Sequence, residues 1–439
     1  MSAVSIQNQQ GTNRVHWTTL QVVVVAICSF INGLDGMDLL VMSYAAPAMA
    51  ADWHIGFATL GVVFSAGMAG MLVGCLCIAP FADTMGRRPI VLFSLIAMAL
   101  GSFGSGLTHD LNLFIVARFI AGLGLGTLLA SVAALVSEYA PEGRRTVAVG
   151  IFQAGYPIGA VLTGIVCIYA IPAFGWQATF IGAGLITAVT VPIVAFCLPE
   201  SVAFLEVRQP KGALERSNAL RKRLDWPAIT VLPQRTIGNL PKPAEVLSAK
   251  LRNATLAIWI ATFLSYGVLY FVASWVPKIA VAAGLSHTNA IWAGSLVNMG
   301  GVCGDIIIGA LAVRRPVGNL IAIFFVFCAV LMMIFAQPLP LTAILISAFG
   351  LGFTLYGGFS AFYSLAAQLY PARLRSSGIG WMAGIGRGGA IIGPLAGGAL
   401  LAANTSLPIT FLCFAIPLVI SGGFAALASH FGRSIPTED

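Results

Sequence analysis

Twelve apolar runs, each long enough to cross a bilayer as a helix, occupy most of this 439-residue chain. A helix needs about 20 residues to span the hydrocarbon core, because each residue adds about 1.5 Å. Charged residues make up only 9% of the chain, too few to cover a water-facing surface. We therefore expect an all-α integral membrane protein. The predicted spans are 18–46, 57–80, 89–107, 111–138, 146–170, 176–198, 254–282, 288–312, 317–336, 341–369, 376–401 and 407–430.

A polar stretch, 199–253, divides the chain into a six-helix bundle over 18–198 and a second over 254–430. The two halves repeat each other at equivalent junctions between spans. Parallel six-helix repeats are typical of transporters that work by alternating access, with the substrate site between the halves near mid-membrane. Arg87-Arg88-Pro89 recurs as Arg314-Arg315-Pro316, and Tyr139-Ala140-Pro141 recurs as Tyr370-Pro371.

Basic residues predict how the chain lies in the membrane. Of the 23 Lys and Arg residues, all but Arg118, Lys278 and Arg387 fall on one side, which we call the basic side. Such an excess marks the cytoplasmic side, so we expect tails 1–17 and 431–439 and the central loop there. The basic side carries Arg14, Arg87, Arg88, Arg144, Arg145, the basic residues of 199–253, Arg314, Arg315, Arg373, Arg375 and Arg433.

Motifs that would indicate an enzyme or a nucleic-acid-binding protein do not occur in the spans. The 8 cysteines form no Cys-x-x-Cys pair, the 5 histidines lie at span ends or in loops, and no phosphate-binding glycine loop is present. The basic charge lies in short tracts between apolar runs rather than on one soluble face. We therefore expect no enzyme activity, no metal, no cofactor and no nucleic acid partner.

Two acidic residues in the first span are the candidate proton-coupling groups. An ionisable side chain at bilayer depth costs at least about 2.5–3.5 kcal/mol, so it is expected to face a cavity and to have a function. Asp35 and Asp38 are three residues apart and share a helix face. Two carboxyl groups this close can exchange a proton near neutral pH. The alternative is that one of them bonds amides freed by a helix break at Gly33 and Gly36.

Two arginines within the spans are candidate substrate-binding residues. Arg118 lies near the depth that we estimate for Asp38, so the two can meet inside the first half. An arginine there can hold a carboxylate by two bonds, and the alternative is a purely structural ion pair. Arg387 lies near mid-membrane in a glycine-rich span, where an organic anion is a plausible counter-ion and Asp305 is the rival partner.

Aromatic side chains near these charges can stack on a planar substrate, although in membrane helices such residues usually pack against neighbours. The candidates for a substrate-binding wall are Tyr156, Tyr266, Tyr270, Tyr356, Phe359, Tyr363 and Trp381. Charged residues at span ends on the basic side are candidate gating residues, with simple anchoring at the membrane surface as the alternative. These are Asp83, Gly86, Arg87, Arg88, Glu138, Arg145 and Arg375.

Several motifs resemble those of a known family. The run from Ala79 to Pro89 resembles the loop after the second helix of the major facilitator superfamily, Gly-x-x-x-Asp-Arg-x-Gly-Arg-Arg, with Ala79 and Thr84 as departures. The run from Arg118 to Gly126 resembles that superfamily's fourth-helix motif. Asp35-Gly36-Met37-Asp38 is similar to the Asp-Gly-aromatic-Asp motif of the aromatic acid/proton symporter family. Residues 137–141 and 386–389 also match the pattern of that family.

The resemblance implies a proton-coupled symporter that imports an aromatic carboxylate across the bacterial inner membrane. A benzoate, hydroxybenzoate or protocatechuate would suit one arginine and an aromatic wall, and a monomer is implied. A proton-driven exporter of organic acids or drugs is the alternative, although 155–159 matches the exporters' signature only loosely. A receptor that binds without translocation is a third hypothesis, weakened because the sequence has no large soluble output domain. The sequence does not specify the acid or the number of protons.

Overall fold

The computed structural model describes residues 17–141, 144–233, 243–371 and 374–433. The predicted tails, up to residue 16 and from residue 434, lie outside the described residues, as do Arg235, Lys242 and Arg373. Within the described ranges, 12 helices are long and apolar enough to cross a membrane, and no strand is formed. The protein is therefore an all-α, multi-pass membrane protein, as the twelve apolar runs predict.

The first half contains six spans. Its second span, Phe57–Met85, is not one regular helix, because a π-helical turn at Gly74–Ile78 and a 3-10 turn at Ala79–Phe81 interrupt it. Pro80 has no N–H to donate to the preceding turn, which favours such an irregularity. The helices of this half are α1 (Thr19–Asp52), α2 (Phe57–Val73), α3 (Ala82–Met85), α4 (Arg87–Leu107), α5 (Leu111–Tyr139), α6 (Arg145–Phe174) and α7 (Trp176–Cys197).

Helix α1 ends at Asp52, beyond the predicted end at residue 46. The helix continues through Pro47, because a proline in a membrane helix removes only one backbone bond, which neighbouring groups can offset. Met49 and Ala50 beyond it are buried in the core, which stabilises the extra turns. Asp38 therefore lies about 21 Å from the end of its helix, so the depth estimate based on residue 46 was wrong.

The central stretch, predicted as a polar loop, contains two short helices, α8 (Val202–Arg208) and α9 (Ala213–Arg223). Glu206 joins them, because its Oε1 accepts bonds from Ser217 Oγ at 2.7 Å and Arg221 Nε at 2.8 Å. Partial burial raises the pKa of Glu206, but these two bonds outweigh it and hold the pKa below its usual value. The described part of this stretch thus carries a helical hairpin.

The second half repeats the six-span arrangement of the first. Its backbones approach closely where glycines face each other, as at Gly267 and Gly393, where an added Cβ would overlap the facing carbonyl. Such contacts are typical of helix packing in membranes. The helices are α10 (Arg252–Ala282), α11 (His287–Ala312), α12 (Val317–Phe335), α13 (Leu341–Leu369), α14 (Arg375–Ala402) and α15 (Leu407–Arg433).

Hydrogen bonds join the two halves away from the basic side. Ser43 Oγ of α1 donates to the Ala273 carbonyl of α10 at 2.7 Å. The Tyr44 hydroxyl lies 3.3 Å from Ser295 Oγ of α11. Ser65 Oγ of α2 donates to a carbonyl of α14 at 2.7 Å. These bonds hold the halves together at the end opposite the basic side.

Aromatic packing reinforces this closed end. The rings of Phe57 and Phe64, on α2, lie 5.9 Å and 5.2 Å from the ring of Trp275, on α10. The Trp275 indole N–H donates to the Pro394 carbonyl of α14 at 3.0 Å, which fixes its orientation. Trp381, nearer the basic side on α14, is 44% exposed.

Candidate functional site

Asp38 and Arg118 form a buried ion pair inside the first half. Arg118 Nη2 lies 2.6 Å from Asp38 Oδ2 and Nη1 lies 3.2 Å from Oδ1, so the contact is bidentate. The Ser102 hydroxyl donates to Oδ1 at 2.7 Å, and the guanidinium lies over the Phe180 ring. Asp38 is 1% exposed and Arg118 is 4% exposed. Because each charge is compensated, this pair can remain ionised at bilayer depth.

Asp35 lies one turn earlier on α1 and has different surroundings. It is 8% exposed, and among the described residues it has no hydrogen bond or ion pair. Its electrostatic neighbours are Arg387 of the second half and Asp38. A cavity of about 10 Å³, roughly the space for one water, lies beside it and is also lined by Asn32 and Phe152. Asp35 is therefore an acid without a bonded partner, facing a cation across the interface.

Arg387 lies near the middle of α14 and lacks a bonded counter-ion. Its Nε is buried without a hydrogen-bond partner among the described residues. Within the same described ranges, the rival partner Asp305 forms no ion pair with it. Tyr270, Tyr266 and Cys75 interact with it electrostatically. Cys75 belongs to the π-helical turn of the second span, so the irregular part of that span faces this arginine.

Glycines bring α14 and its arginine against α10. An added Cβ at Gly389 would overlap the Phe263 carbonyl, and one at Gly386 would lie against the Tyr266 ring. The α14 backbone therefore meets the Tyr266 ring just before Arg387 and the α10 backbone just after it. This close packing places the guanidinium directly beside the tyrosines of α10.

Aromatic side chains from α10 and α13 line one side of Arg387. The hydroxyls of Tyr266 and Tyr363 lie 3.2 Å apart. The Tyr266 ring meets Phe359 edge-on at 4.7 Å and stacks on Tyr270 at 6.1 Å. Four of the predicted aromatic residues thus form one cluster next to the unpaired guanidinium.

Two further predicted aromatics connect the halves. The side chains of Tyr156 of α6 and Tyr356 of α13 lie close together across the interface, and Tyr156 also interacts electrostatically with Asp35. The remaining one, Trp381, lies nearer the basic side and packs against Trp259 at 6.1 Å. The structure therefore brings Tyr156 and Tyr356 together between the halves, with Tyr156 near Asp35, whereas Trp381 packs apart from them against Trp259.

The predicted gating residues on the basic side form a network within the first half. Arg87 forms an ion pair with Glu138, and its Nη1 lies 3.0 Å from Ser201 Oγ. Arg88 donates to a carbonyl near the end of α7. The Asp83 carbonyl accepts a bond of 2.6 Å from Arg208 of α8. Arg145 and Arg375 are exposed at the first residues of α6 and α14.

Glu200 is the central residue of this network, and the sequence prediction missed it. Its Oε1 accepts the backbone N–H of Arg87 at 2.9 Å and of Ser201 at 2.8 Å, while its carbonyl accepts the Tyr139 hydroxyl at 2.7 Å. Gly86 has φ +102°, and a side chain there would collide with this carboxylate. An acidic residue just after an apolar run and immediately before a serine N-cap was the available signal.

Comparisons with known proteins agree with this architecture. The Major Facilitator Superfamily model matches residues 25–387 and 258–437. The chain is 30% identical to the gallate transporter of Pseudomonas putida over 94% of its length and 92% of the relative's. It is 31% identical to the 4-hydroxybenzoate transporter PcaK of Pseudomonas aeruginosa over 91% of its length and 90% of the relative's.

A solved structure shows the same fold at low sequence identity. The bacterial homologue of the human lysosomal transporter Spinster, in an inward-facing and unoccupied conformation, superposes with a TM-score of 0.70. The superposition covers 95% of this chain and 98% of that one, at 16% identity. The fold, the repeat and the sequence match agree, and the chain belongs to the major facilitator superfamily of membrane transporters.

Proposed function

We propose that this protein is a proton-coupled symporter that imports an aromatic carboxylate by alternating access, with its basic side in the bacterial cytoplasm. The observation that carries the proposal is the Arg387 guanidinium, which is unpaired among the described residues and lies beside a cluster of aromatic rings. Asp35 offsets the charge of Arg387 across the interface but makes no bond to it, so this position favours an anionic substrate that bonds the guanidinium directly. Gallate and 4-hydroxybenzoate, the substrates named for two relatives, are aromatic carboxylates.

The geometry suits a flat anion. Arg387 can hold a carboxylate through two parallel N–H bonds, which fixes both its position and its plane. A ring attached to that carboxylate would lie beside the aromatic cluster of Tyr266, Tyr270 and Phe359, a kind of surface that favours a planar ring. Arg118 is held by Asp38 in this conformation, so we assign the substrate carboxylate to Arg387 and a positioning role to the Asp38–Arg118 pair.

Coupling to protons follows from the charge balance around Asp35. In the empty carrier, ionised Asp35 and Arg387 compensate each other across the interface. A substrate carboxylate entering alone would leave one excess negative charge between the halves, which is unfavourable at this depth. A proton on Asp35 restores neutrality and frees Arg387 for the substrate. With one proton per monoanion no net charge moves, and each pH unit supplies about 1.4 kcal/mol.

The closed end and the basic-side network explain how the halves can move as units. Inter-half bonds at Ser43 and Ser65 close the end opposite the basic side, while Glu200 and Arg87 hold the ends of α4, α5 and α7 together. We propose that in the outward-open state the basic-side ends meet and the Ser43 and Ser65 bonds break. The network then acts as part of the cytoplasmic gate.

Uptake into proteoliposomes tests this proposal. Labelled benzoate, 4-hydroxybenzoate, protocatechuate and gallate would be offered with acid outside, to the unmodified protein, Asp35→Asn and, as matched control, Asp225→Asn, an exposed carboxylate of the central stretch. We expect gradient-driven accumulation of at least one acid by the unmodified protein and the control. Asp35→Asn should keep substrate exchange without a gradient, because Asn mimics the protonated carboxyl, but lose accumulation.

Other outcomes would contradict particular parts of the proposed function. Uptake indifferent to the gradient would exclude proton coupling. Accumulation driven by acid inside would assign proton antiport and export. Specific binding without exchange would indicate a receptor. If no acid is bound or transported, the substrate class is wrong while the fold stands.

A further inference from the structure

A lysine at the closed end has no role in the function proposed above. Lys278 lies four residues before Ala282, the last residue of α10, and thus about 6 Å from that end of the helix. Apart from Arg118 and Arg387, every other Lys and Arg of the chain falls on the basic side. Lys278 is partly exposed, and it forms no ion pair with the residues that the structure describes.

The two acidic residues at the closed end are bonded within the first half. Asp52 Oδ2 accepts the Trp176 indole N–H at 3.0 Å, and Asp110 Oδ1 accepts the Leu113 N–H at 2.9 Å. Neither acid pairs with Lys278 in the described part of the chain. The ammonium is therefore the group at this end that attracts an anion.

The Lys278 ammonium contacts an aromatic ring of the other half. Its Nζ lies 5.7 Å from the centre of the ring of Phe57, the first residue of α2. The same ring lies 5.9 Å from the ring of Trp275, which precedes Lys278 by three residues and shares its helix face. The Phe57 ring therefore occupies a position beside a cation and an indole that the ring of an aromatic acid could take.

Separation of the halves at the closed end would uncover this position. Phe57 and Ser65 belong to α2 of the first half, whereas Trp275 and Lys278 belong to α10 of the second. When the Ser65 bond breaks in the outward-open state, the Phe57 ring moves away with α2. A carboxylate can then bond the ammonium by a charge-assisted hydrogen bond, which is stronger than a partly exposed cation–π contact. Because the acid replaces Phe57, its arrival stabilises the open state.

We propose that Lys278 and Trp275 form an outer binding site for the aromatic carboxylate, which Phe57 covers when the closed end is shut. The acid binds there first and then passes to Arg387. Lys278 is eight residues beyond Tyr270 on α10, about 12 Å further along the helix axis, so the outer site is distinct from the aromatic cluster. The inference rests on the proposed function, since it assigns the entry point of the same substrate.

Uptake kinetics in cells that produce the full chain and have no other uptake of these acids test the outer site. The Michaelis constant KM would be measured for 4-hydroxybenzoate with the unmodified protein, Lys278→Met, Lys278→Arg, Phe57→Leu and the control Lys211→Met, an exposed lysine of the central stretch. We expect Lys278→Met to raise KM about fivefold, and Lys278→Arg and the control to stay within about twofold. Phe57→Leu should lower KM about twofold, because it removes the ring that competes with the substrate for the ammonium.

Two further measurements separate capture of the substrate from a structural role of Lys278. Raising the salt concentration from about 10 mM to about 150 mM should increase the KM of the unmodified protein, because salt screens attraction to a partly exposed charge. The KM of Lys278→Met should hardly respond to salt. Calorimetric binding of the same acid to purified Lys278→Met should match that of the unmodified protein, since the Arg387 site is unaltered.

KM does not depend on the amount of folded carrier, so a poorly folding variant still gives an answer. Equal KM values in Lys278→Met and the unmodified protein would overturn the inference and leave the proposed function standing. A rise of similar size in Phe57→Leu would also overturn it, because the contact would then be only a latch between the halves. Absence of gradient-driven uptake by the unmodified protein would refute the proposed function, and this inference with it.

Discussion

At the scale of single residues, two arginines inside the membrane have opposite surroundings. Arg118 is bound at two points by Asp38, which also accepts a bond from Ser102. Arg387 has no bonded anion among the described residues. Because the cost of a buried charge depends on its partners, the first arginine is a structural member of its half and the second is available to an incoming anion.

The Asp38–Arg118 pair makes a prediction about stability. Asp38→Asn alone should destabilise the protein by about 3–5 kcal/mol, because it leaves Arg118 buried without a counter-charge. The double variant Asp38→Asn, Arg118→Gln should recover much of that loss, since both charges are gone. Thermal unfolding of the unmodified protein, Asp38→Asn, Arg118→Gln and the double variant forms a double-mutant cycle. This cycle measures the coupling free energy between Asp38 and Arg118.

A second ion pair supplies the control for that cycle. Glu206 and Arg221 join α8 and α9 at the surface, where a pair contributes about 0–1 kcal/mol. The cycle Glu206→Gln, Arg221→Gln should therefore show little coupling. Additive losses in the Asp38–Arg118 cycle would contradict the role given to the buried pair.

At the scale of helices, glycine determines where the charged groups lie. Gly267, Gly389 and Gly393 let α10 and α14 meet backbone to backbone, which places Arg387 beside Tyr266 and Tyr270. The π-helical turn of the second span places Cys75 next to the same arginine. The site is thus built from irregular and closely packed helix segments, as is common at functional sites.

Gly393→Ala should push α14 away from α10, because the new Cβ would overlap the Gly267 carbonyl. We expect a loss of about 1–3 kcal/mol in stability from overpacking, together with weaker binding of 4-hydroxybenzoate because Arg387 moves. Gly380→Ala on the same helix is the control. Its Cβ meets nothing within 4 Å, so it should be neutral or stabilising by up to about 1 kcal/mol. Similar effects of the two substitutions on binding would refute this packing argument.

At the scale of the whole molecule, hydrogen bonds and aromatic packing join the two halves at the end opposite the basic side. Ser43, Tyr44 and Ser65 bond across the interface, and Trp275 packs on Phe57 and Phe64. Because these contacts close the end opposite the basic side, we propose that the Arg387 site is reached from the basic side. Alternating access requires that this arrangement be one of two that are close in free energy.

Chemical labelling of Cys75 tests from which side of the membrane the Arg387 site is reached. An anionic, membrane-impermeant thiol reagent should modify it when added to the basic side, because it is partly exposed and lies near Arg387. Bound 4-hydroxybenzoate should slow the modification, since it occupies the same guanidinium. Peptide mass spectrometry would follow Cys75 alongside Cys197, an exposed cysteine at the end of α7 that should not respond to the acid. Modification of Cys75 only from the opposite side would contradict the proposed access.

Much of the fold was predictable from the sequence because a membrane restricts the options so strongly. An apolar run of about 20 residues in lipid must be a helix, and its length locates it without knowledge of its neighbours. The internal repeat and the motif at 79–89 then indicated the arrangement of the halves. The predicted end of α1 was wrong because buried contacts at Met49 and Ala50 extend the helix beyond residue 46.

Hydropathy and charge also identified the ionisable residues that are candidates for a function, because a charge at bilayer depth has few purely structural explanations. Only the tertiary structure showed how the surroundings of these residues differ. It paired Asp38 with Arg118, left Arg387 without a bonded anion, and brought Asp35 opposite it from the other half. Partners on different helices depend on helix tilt, rotation and glycine contacts, which a single sequence does not encode in any local pattern. The sequence by itself determined which residues could carry charge inside the membrane, and the packing of helices decided which of them are satisfied.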